Sequence, residues 1–438
     1  MSAHTYILSP LFIQANTGME AILGKENAIK TDTQRRNYIF ITISVFAAFI
    51  VYGFAETVKG TALPRIQADF DITELQLGLL LAVNSIGYLI ACSFTAVLAK
   101  KIGIRTCMIA ALCIIAVSGV CICFSPSYAV LMLAFFVLYL GNGMLEVSSN
   151  IIAATIFTKN TGAMMNLAHF FYGLGAIFSP VMSAGLMAAR LGDRVLGWRY
   201  MYLIVLGCAL IPAIPALIGR MKKQNQNVKK TGFRTILKNP TLWLTVLILA
   251  LGSISELGVS AWLVNFLEKA YSFSGEKAAL QLTLFFICFT LSRLVFGPII
   301  DRIGFINTLM VFMAFAGIMI TLGVLCGEKA TPLLIIAGIG VAPLYPTVMA
   351  VISKLFAEVI DLAMTAVTTI MGVFMIFVNF LLGGIVFLSR LIFTKIYGDA
   401  GVGMAYAAGC FFLGLCCFGA AAFAVILRKR QKKAGQLV

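Results

Sequence analysis

The sequence predicts an all-α membrane protein of twelve transmembrane helices arranged as two pseudo-symmetric six-helix bundles. Three observations predict it. The chain is 61% hydrophobic and only 11% charged, with a mean hydropathy of +0.99, whereas water-soluble domains carry about a quarter of their residues as Asp, Glu, Lys and Arg. Roughly a dozen apolar stretches are each long enough to cross about 30 Å of hydrocarbon, which takes about 20 helical residues. Short sequence features of the first half also recur in the second, on either side of a basic seam.

In chain order, hydropathy and breakers place helices near 38–63, 75–98, 104–124, 128–156, 162–189 and 198–219. A second six run near 240–268, 278–299, 304–326, 331–355, 361–390 and 402–427. Residues 1–37 are polar and of mixed charge. Their one apolar run, Tyr6 to Ile13, is interrupted by Ser9 and Pro10, too short for a signal-peptide core, so they read as a flexible cytoplasmic tail. The expected organisation is a bundle over 38–219, a basic cytoplasmic linker over 220–239, a second bundle over 240–427 and a basic tail over 428–438. The echo between halves is local. Lys100-Lys101-Ile102-Gly103 before the third helix returns as Asp301-Arg302-Ile303-Gly304 before the ninth, and the candidate caps Thr73 and Ser274 have the same offset of 201 residues. Parallel repeats of six spans produce such a pattern.

Charge sets the orientation. Of the 33 Lys and Arg, most fall on the side of the two termini, at Arg35 and Arg36, Lys100 to Arg105, Arg220 to Lys238 and Arg428 to Lys433, and basic residues are retained on the cytoplasmic side. Both termini are therefore expected inside a cell membrane, the inner membrane in a two-membrane cell. The net charge of +16 also raises nucleic-acid binding, but clusters beside helix ends match anionic lipid. The 11 cysteines are scattered through apolar helices without ligand spacing, which fits packing rather than metal or disulfide chemistry. No metal and no cofactor is expected.

The Gly-rich second helix running into Ala99-Lys100-Lys101-Ile102-Gly103-Ile104-Arg105, and Ser292-Arg293-Leu294 through Gly297 to Asp301-Arg302-Ile303-Gly304, resemble the loop motif of the major facilitator superfamily and its second-half counterpart. Leu140 to Asn150, the run Asn166 to Ala176, and Glu256 with Trp262 resemble the fucose:proton symporter family and related sugar permeases within it. The resemblance spans nearly the whole chain after Arg36. It implies the major facilitator fold, a small-molecule substrate moved by alternating access, and gate or loop roles for Arg105, Arg293, Asp301 and Arg302. It also implies that Glu146, which matches the family's helix-four glutamate, is a protonation site. The chain departs from the family on helix one, where an Asn-Asp pair precedes Leu-Pro. Before Leu63-Pro64 this sequence has Lys59 and Gly60, with a carboxylate at Glu56.

The polar residues inside the helices are the candidate site. A bare acid at a helix centre costs about 2.5–3.5 kcal/mol on translocon scales, so Glu146 needs protein, water or a proton as compensation. Asn142, Glu146 and Asn150 recur every four residues, which suits a polar cavity wall or an interhelical hydrogen-bond seam. Glu56 and Lys59, with Tyr52, share one face of helix one. Either the two charges pair internally, or Glu56 meets substrate or proton while Lys59 holds an anionic group. On helix five, Asn166 and His169 are candidates for substrate contact, and the imidazole could also assist a proton or serve structure. On helix seven, Glu256 can bind hydroxyls while Trp262 covers an apolar sugar face, or Trp262 anchors at the headgroups.

No Walker A sequence or nucleophile motif is present, so an ion-driven secondary transporter is favoured over an enzyme. Proton-coupled uptake of a sugar or similar hydroxylated solute by a monomer is the first expectation. Proton-driven efflux of a drug or metabolite is the alternative, and a non-transporting membrane sensor the third.

Overall fold

The computed structural model describes residues 34–157, 161–219, 236–356, 360–433 and 435. The expected tail up to residue 33 and linker residues 220–235 lie outside them. Among the described residues twelve helices are long and apolar enough to span a bilayer. They are α1 (Gln34–Phe70), α2 (Glu74–Ile102), α3 (Ile104–Cys123), α4 (Tyr128–Ile156), α5 (Thr161–Ala188), α6 (Gly197–Ile218), α7 (Pro240–Tyr271), α8 (Gly275–Ile303), α9 (Phe305–Leu325), α10 (Glu328–Leu355), α11 (Ile360–Tyr397) and α12 (Ala400–Lys433). A small hairpin, β1 (Arg190–Leu191) with β2 (Arg194–Val195), joins α5 to α6.

Helix starts follow their capping chemistry. Thr73 closes a capping box on Gln76 at α2, and the Ser274 side chain accepts from the Lys277 N–H at α8. Hydropathy marks the spans but underestimates several lengths, because helix formation continues past the apolar segment wherever polar ends find partners. α1 extends through Gln67 and Asp69, α11 runs past Arg390 to Tyr397, and α12 carries its basic residues to Lys433 inside the helix.

The two halves repeat in backbone as well as in sequence. α1 and α7 end on left-handed residues, Asp71 (φ 48°) and Ser272 (φ 53°), and the α2–α3 and α8–α9 junctions turn on Gly103 and Gly304, both at φ 88°. A side chain at that φ is strained, so glycine is required at both junctions. Packing repeats too. α2 lies along α4, α3 along α4 and α6, and α5 along α6; six helices later α8 lies along α10, α9 along α10 and α12, and α11 along α12. The halves meet through α1 with α7, α2 with α11 and α5 with α8. At the α2–α11 crossing, Gly78 and Gly383 let the backbones touch. A Cβ on Gly383 would lie 2.6 Å from the Glu74 carbonyl oxygen and 2.7 Å from Gly78 Cα, the small-residue approach common where helices cross in lipid. Leu133, Phe178, Val311 and Phe377 are exposed on the outside of the bundle, the apolar belt expected of a lipid-facing surface.

Candidate functional site

A cavity of about 160 Å³ lies between the halves, lined by residues of α1, α2, α4, α5, α7, α8, α10 and α11. It has room for on the order of ten waters, and its wall gathers Glu56, Lys59, Glu146, His169, Glu256 and Arg293 with five tyrosines.

The first-half wall holds two satisfied acids. On α4, Glu146 Oε2 accepts hydrogen bonds from the Tyr52 hydroxyl of α1, at 2.7 Å, and from the Tyr88 hydroxyl of α2. On α1, Lys59 donates to Glu56 one turn earlier and to the Tyr139 hydroxyl of α4 at 2.6 Å. Both members of the Glu56–Lys59 pair are buried, so the geometry takes the internal ion pair of the two arrangements the helix-one spacing allowed. Each charge is compensated within about one helical turn, as a buried ion requires.

The second-half wall is different. Glu256 of α7 faces the cavity with no hydrogen bond or ion pair among the described residues. Arg293 of α8 reaches the cavity from beside a break in α10. Pro343 and Pro346 lack the N–H groups that would bond the carbonyls of Ile339 and Ala342. Ser292 Oγ donates to the Ile339 oxygen at 2.9 Å and Arg293 Nε to the Ala342 oxygen at 3.0 Å, so two consecutive residues of α8 satisfy both orphaned acceptors. The guanidinium carbon sits 4.2 Å from the Phe289 ring centroid. Its two terminal nitrogens make no hydrogen bond among the described residues.

Other predicted residues fall elsewhere. Asn142 is fully buried off the cavity with both amide atoms unpartnered, and Asn150 does not line it. Four-residue steps on a helix drift by about 40° each, so only Glu146 of that stripe meets the void. Trp262 is neither a cavity residue nor a headgroup anchor. It is 2% exposed, with its ring 6.2 Å from that of Tyr406 on α12, because six residues rotate it about 120° from Glu256. The side chains of Asn166 and Asp301 lie outside the described residues. Arg105 ties the start of α3 to the end of α6 through the carbonyls of Ala216 and Leu217, each at 2.6 Å. Arg302 is exposed. Arg293, expected in gate or loop structure, lines the cavity.

Sequence reasoning passed over Asn84, Tyr88, Tyr139, Ser253 and Asn379 as site residues. Their one signal was being polar or hydroxylated within a span. Asn379 of α11 donates to Ser85 Oγ of α2 at 3.0 Å, a polar contact between halves next to the cavity.

Beyond the cavity, the face bearing the α1–α2, α7–α8 and α11–α12 turns is bridged between halves. Arg65 of α1 holds Glu268 of α7 through two bonds of 2.7 and 2.8 Å, and Arg390 of α11 holds Glu74 of α2 at 2.6 Å. Gln67 donates to the same Glu74 oxygen at 3.1 Å, and the Tyr406 hydroxyl lies 3.0 Å from Gln67 Oε1 and 3.1 Å from Glu74 Oε1. On the opposite face no ion pair joins the halves among the described residues.

Comparison with known proteins gives a consistent placement. The family model described as Major Facilitator Superfamily matches residues 45–379. The L-fucose-proton symporter of Escherichia coli (strain K12) is 26% identical over 163 residues, which is 36% of this chain and 37% of that relative. The aligned part thus spans little more than a third of that relative's length. Among solved structures, a bacterial homolog of the human lysosomal transporter Spinster, in an inward-facing and unoccupied conformation, superposes with a TM-score of 0.69 at 14% identity, covering 89% of this chain and 95% of that one. The nucleoside transporter NupG gives 0.68 at 13% identity, covering 88% and 98%. At these identities the structural likeness speaks to the fold alone.

Proposed function

Since the chain belongs to the Major Facilitator Superfamily, a family of membrane transporters, we propose that it is a secondary active transporter that couples protons to the uptake of a sugar or similar small hydroxylated solute. The observation that carries this is Glu146, a carboxyl on the wall of a central cavity between the halves, held by the Tyr52 and Tyr88 hydroxyls. A carboxyl at that depth, facing a wet void and not lipid, is the kind of group that serves proton relays in transporters. Its position matches the helix-four protonation site implied by the resemblance, and the sequence similarity to the fucose-proton symporter supports the same class of solute.

Alternating access supplies the mechanism. The basic clusters support a cytoplasmic position for both termini, and on that reading the bridged face is the outer one and the arrangement is closed to the outside. Solute and proton enter when the Arg65–Glu268 and Glu74–Arg390 bridges part, occupy the cavity, and leave after they re-form. The Glu56–Lys59 pair stays neutral as a unit and leaves Glu146 as the coupling group. The protein works as a monomer in the cell membrane, because the cavity is complete within one chain.

The test uses full-length protein in proteoliposomes with a panel of hydroxylated solutes. Glu146→Gln is expected to keep counterflow, which needs binding and reorientation only, and to lose accumulation driven by a pH gradient. Unchanged accumulation rejects the coupling role.

A further inference from the structure

The two halves of the cavity wall are not equivalent in charge, and the difference bears on what the cavity receives. In the first half the carboxylates and the ammonium group that reach the void already have partners: Lys59 has Glu56 and Tyr139, and Glu146 has two tyrosine hydroxyls, while His169 lies edge-on to the Phe49 ring. In the second half Glu256 and the Nη groups of Arg293 both face the void without one. Terminal guanidinium N–H groups left unbonded inside a membrane protein carry a desolvation cost and are retained where they meet a polar or charged group.

Arg293 is also fixed in place. Its Nε is committed to the Ala342 carbonyl that Pro346 leaves without a donor, and the guanidinium plane rests against Phe289. That leaves the outer fork of two N–H-bearing nitrogens free, which is the geometry that takes a carboxylate through paired hydrogen bonds. A hydroxyl offers such a fork only one oxygen and no charge. Glu256 has the opposite character: it accepts hydrogen bonds and donates none when ionised. The cavity therefore presents a donor fork and an acceptor pair on the same half.

We propose that Arg293 seats a carboxylate of the transported solute while Glu256 takes its hydroxyl donors, so that the solute is a hydroxylated organic acid of the sugar-acid class and not an uncharged sugar. This rests on the reading of the cavity as the site of a hydroxylated solute, and it narrows that reading.

The experiment measures binding and uptake by the purified full-length protein for two acids, D-glucuronate and D-gluconate, and two uncharged sugars, D-glucose and L-fucose. Wild-type protein is expected to prefer the acids by at least tenfold. Arg293→Gln should remove that preference by weakening the acids at least tenfold while changing the sugars less than twofold, and Arg293→Lys, which keeps the charge but not the fork, should retain part of it. Sugars bound as well as or better than the acids overturn the proposal and leave the hydroxylated-solute reading standing. Equal weakening of both classes by Arg293→Gln also overturns it, since that marks a purely structural role at the α10 break. If neither class is bound or moved, the hydroxylated-solute reading fails and the proposal with it. The wild-type comparison stands even if a variant fails to fold.

Discussion

Neutralising the two acids of the bridged face is predicted to open it. Each bridge joins a more exposed arginine to a less exposed acid: Arg390 is 44% and Glu74 1% exposed, and Arg65 is 41% and Glu268 11% exposed at the side chain. A hydrogen bond to a charged group contributes about 1.5–3 kcal/mol against about 0.5–1.5 kcal/mol for a neutral one. Replacing a carboxylate by its amide therefore removes about 1 kcal/mol per bridge, toward the lower end of that difference because solvent screens the arginines. The double variant Glu74→Gln/Glu268→Gln should lose about 2 kcal/mol, and at about 1.4 kcal/mol per factor of ten this shifts the closed-to-open ratio roughly thirtyfold. Pulsed electron-spin distance measurements between labels at Asp71→Cys and Asp399→Cys, in a cysteine-depleted background, report that ratio directly, since these turn residues belong to different halves. The short-distance population should fall in the double variant and by an intermediate amount in each single one. An unchanged distance distribution would refute the argument that these ion pairs hold the face shut.

Two further perturbations follow from the same packing. Lys59→Met leaves Glu56 buried without its cation and is expected to cost about 3–5 kcal/mol, whereas Lys59→Met with Glu56→Gln should recover most of the loss; equal melting temperatures for the two in detergent would mean that the pair is energetically idle. Gly383→Leu puts side-chain atoms into the backbone of α2 and should disfavour the closed face by about 1–3 kcal/mol. Gly384→Leu, whose Cβ would meet only a Leu75 methyl at 3.8 Å, is the control, and similar label distances in both variants would remove the backbone contact from the account.

What the sequence revealed and what it hid divides by distance along the chain. The caps at Thr73 and Ser274 and the glycines at 103 and 304 are encoded within a few residues, so spacing finds them, and it brings Glu56 and Lys59 onto one face while leaving open whether they pair. The tyrosines on Glu146 come from two other helices, 94 and 58 residues away, and the bridges between the halves join residues 203 and 316 apart; no local pattern announces such partners. Angular phase was the other obstacle. Glu146 and Glu256 both reach the cavity, but Asn142 and Trp262 rotate away from it within six residues or fewer, a displacement that a shared helix conceals. Arg293 shows a third case. Its motif suggested loop chemistry, while the prolines that give it a task lie on α10, some fifty residues later.

Tyr52 and Tyr88 converge on one oxygen of Glu146, and lone pairs on that atom are finite. An ionised Oε2 can receive both phenols at once, acting as a knot that draws three helices together. A carboxyl that takes a proton loses its charge, and each phenol bond to it passes from a charge-assisted to a weaker neutral one. On the proposed coupling role, chemistry at a single group would thereby become a change in how tightly the knot is tied, felt by the first bundle as slack between α1, α2 and α4.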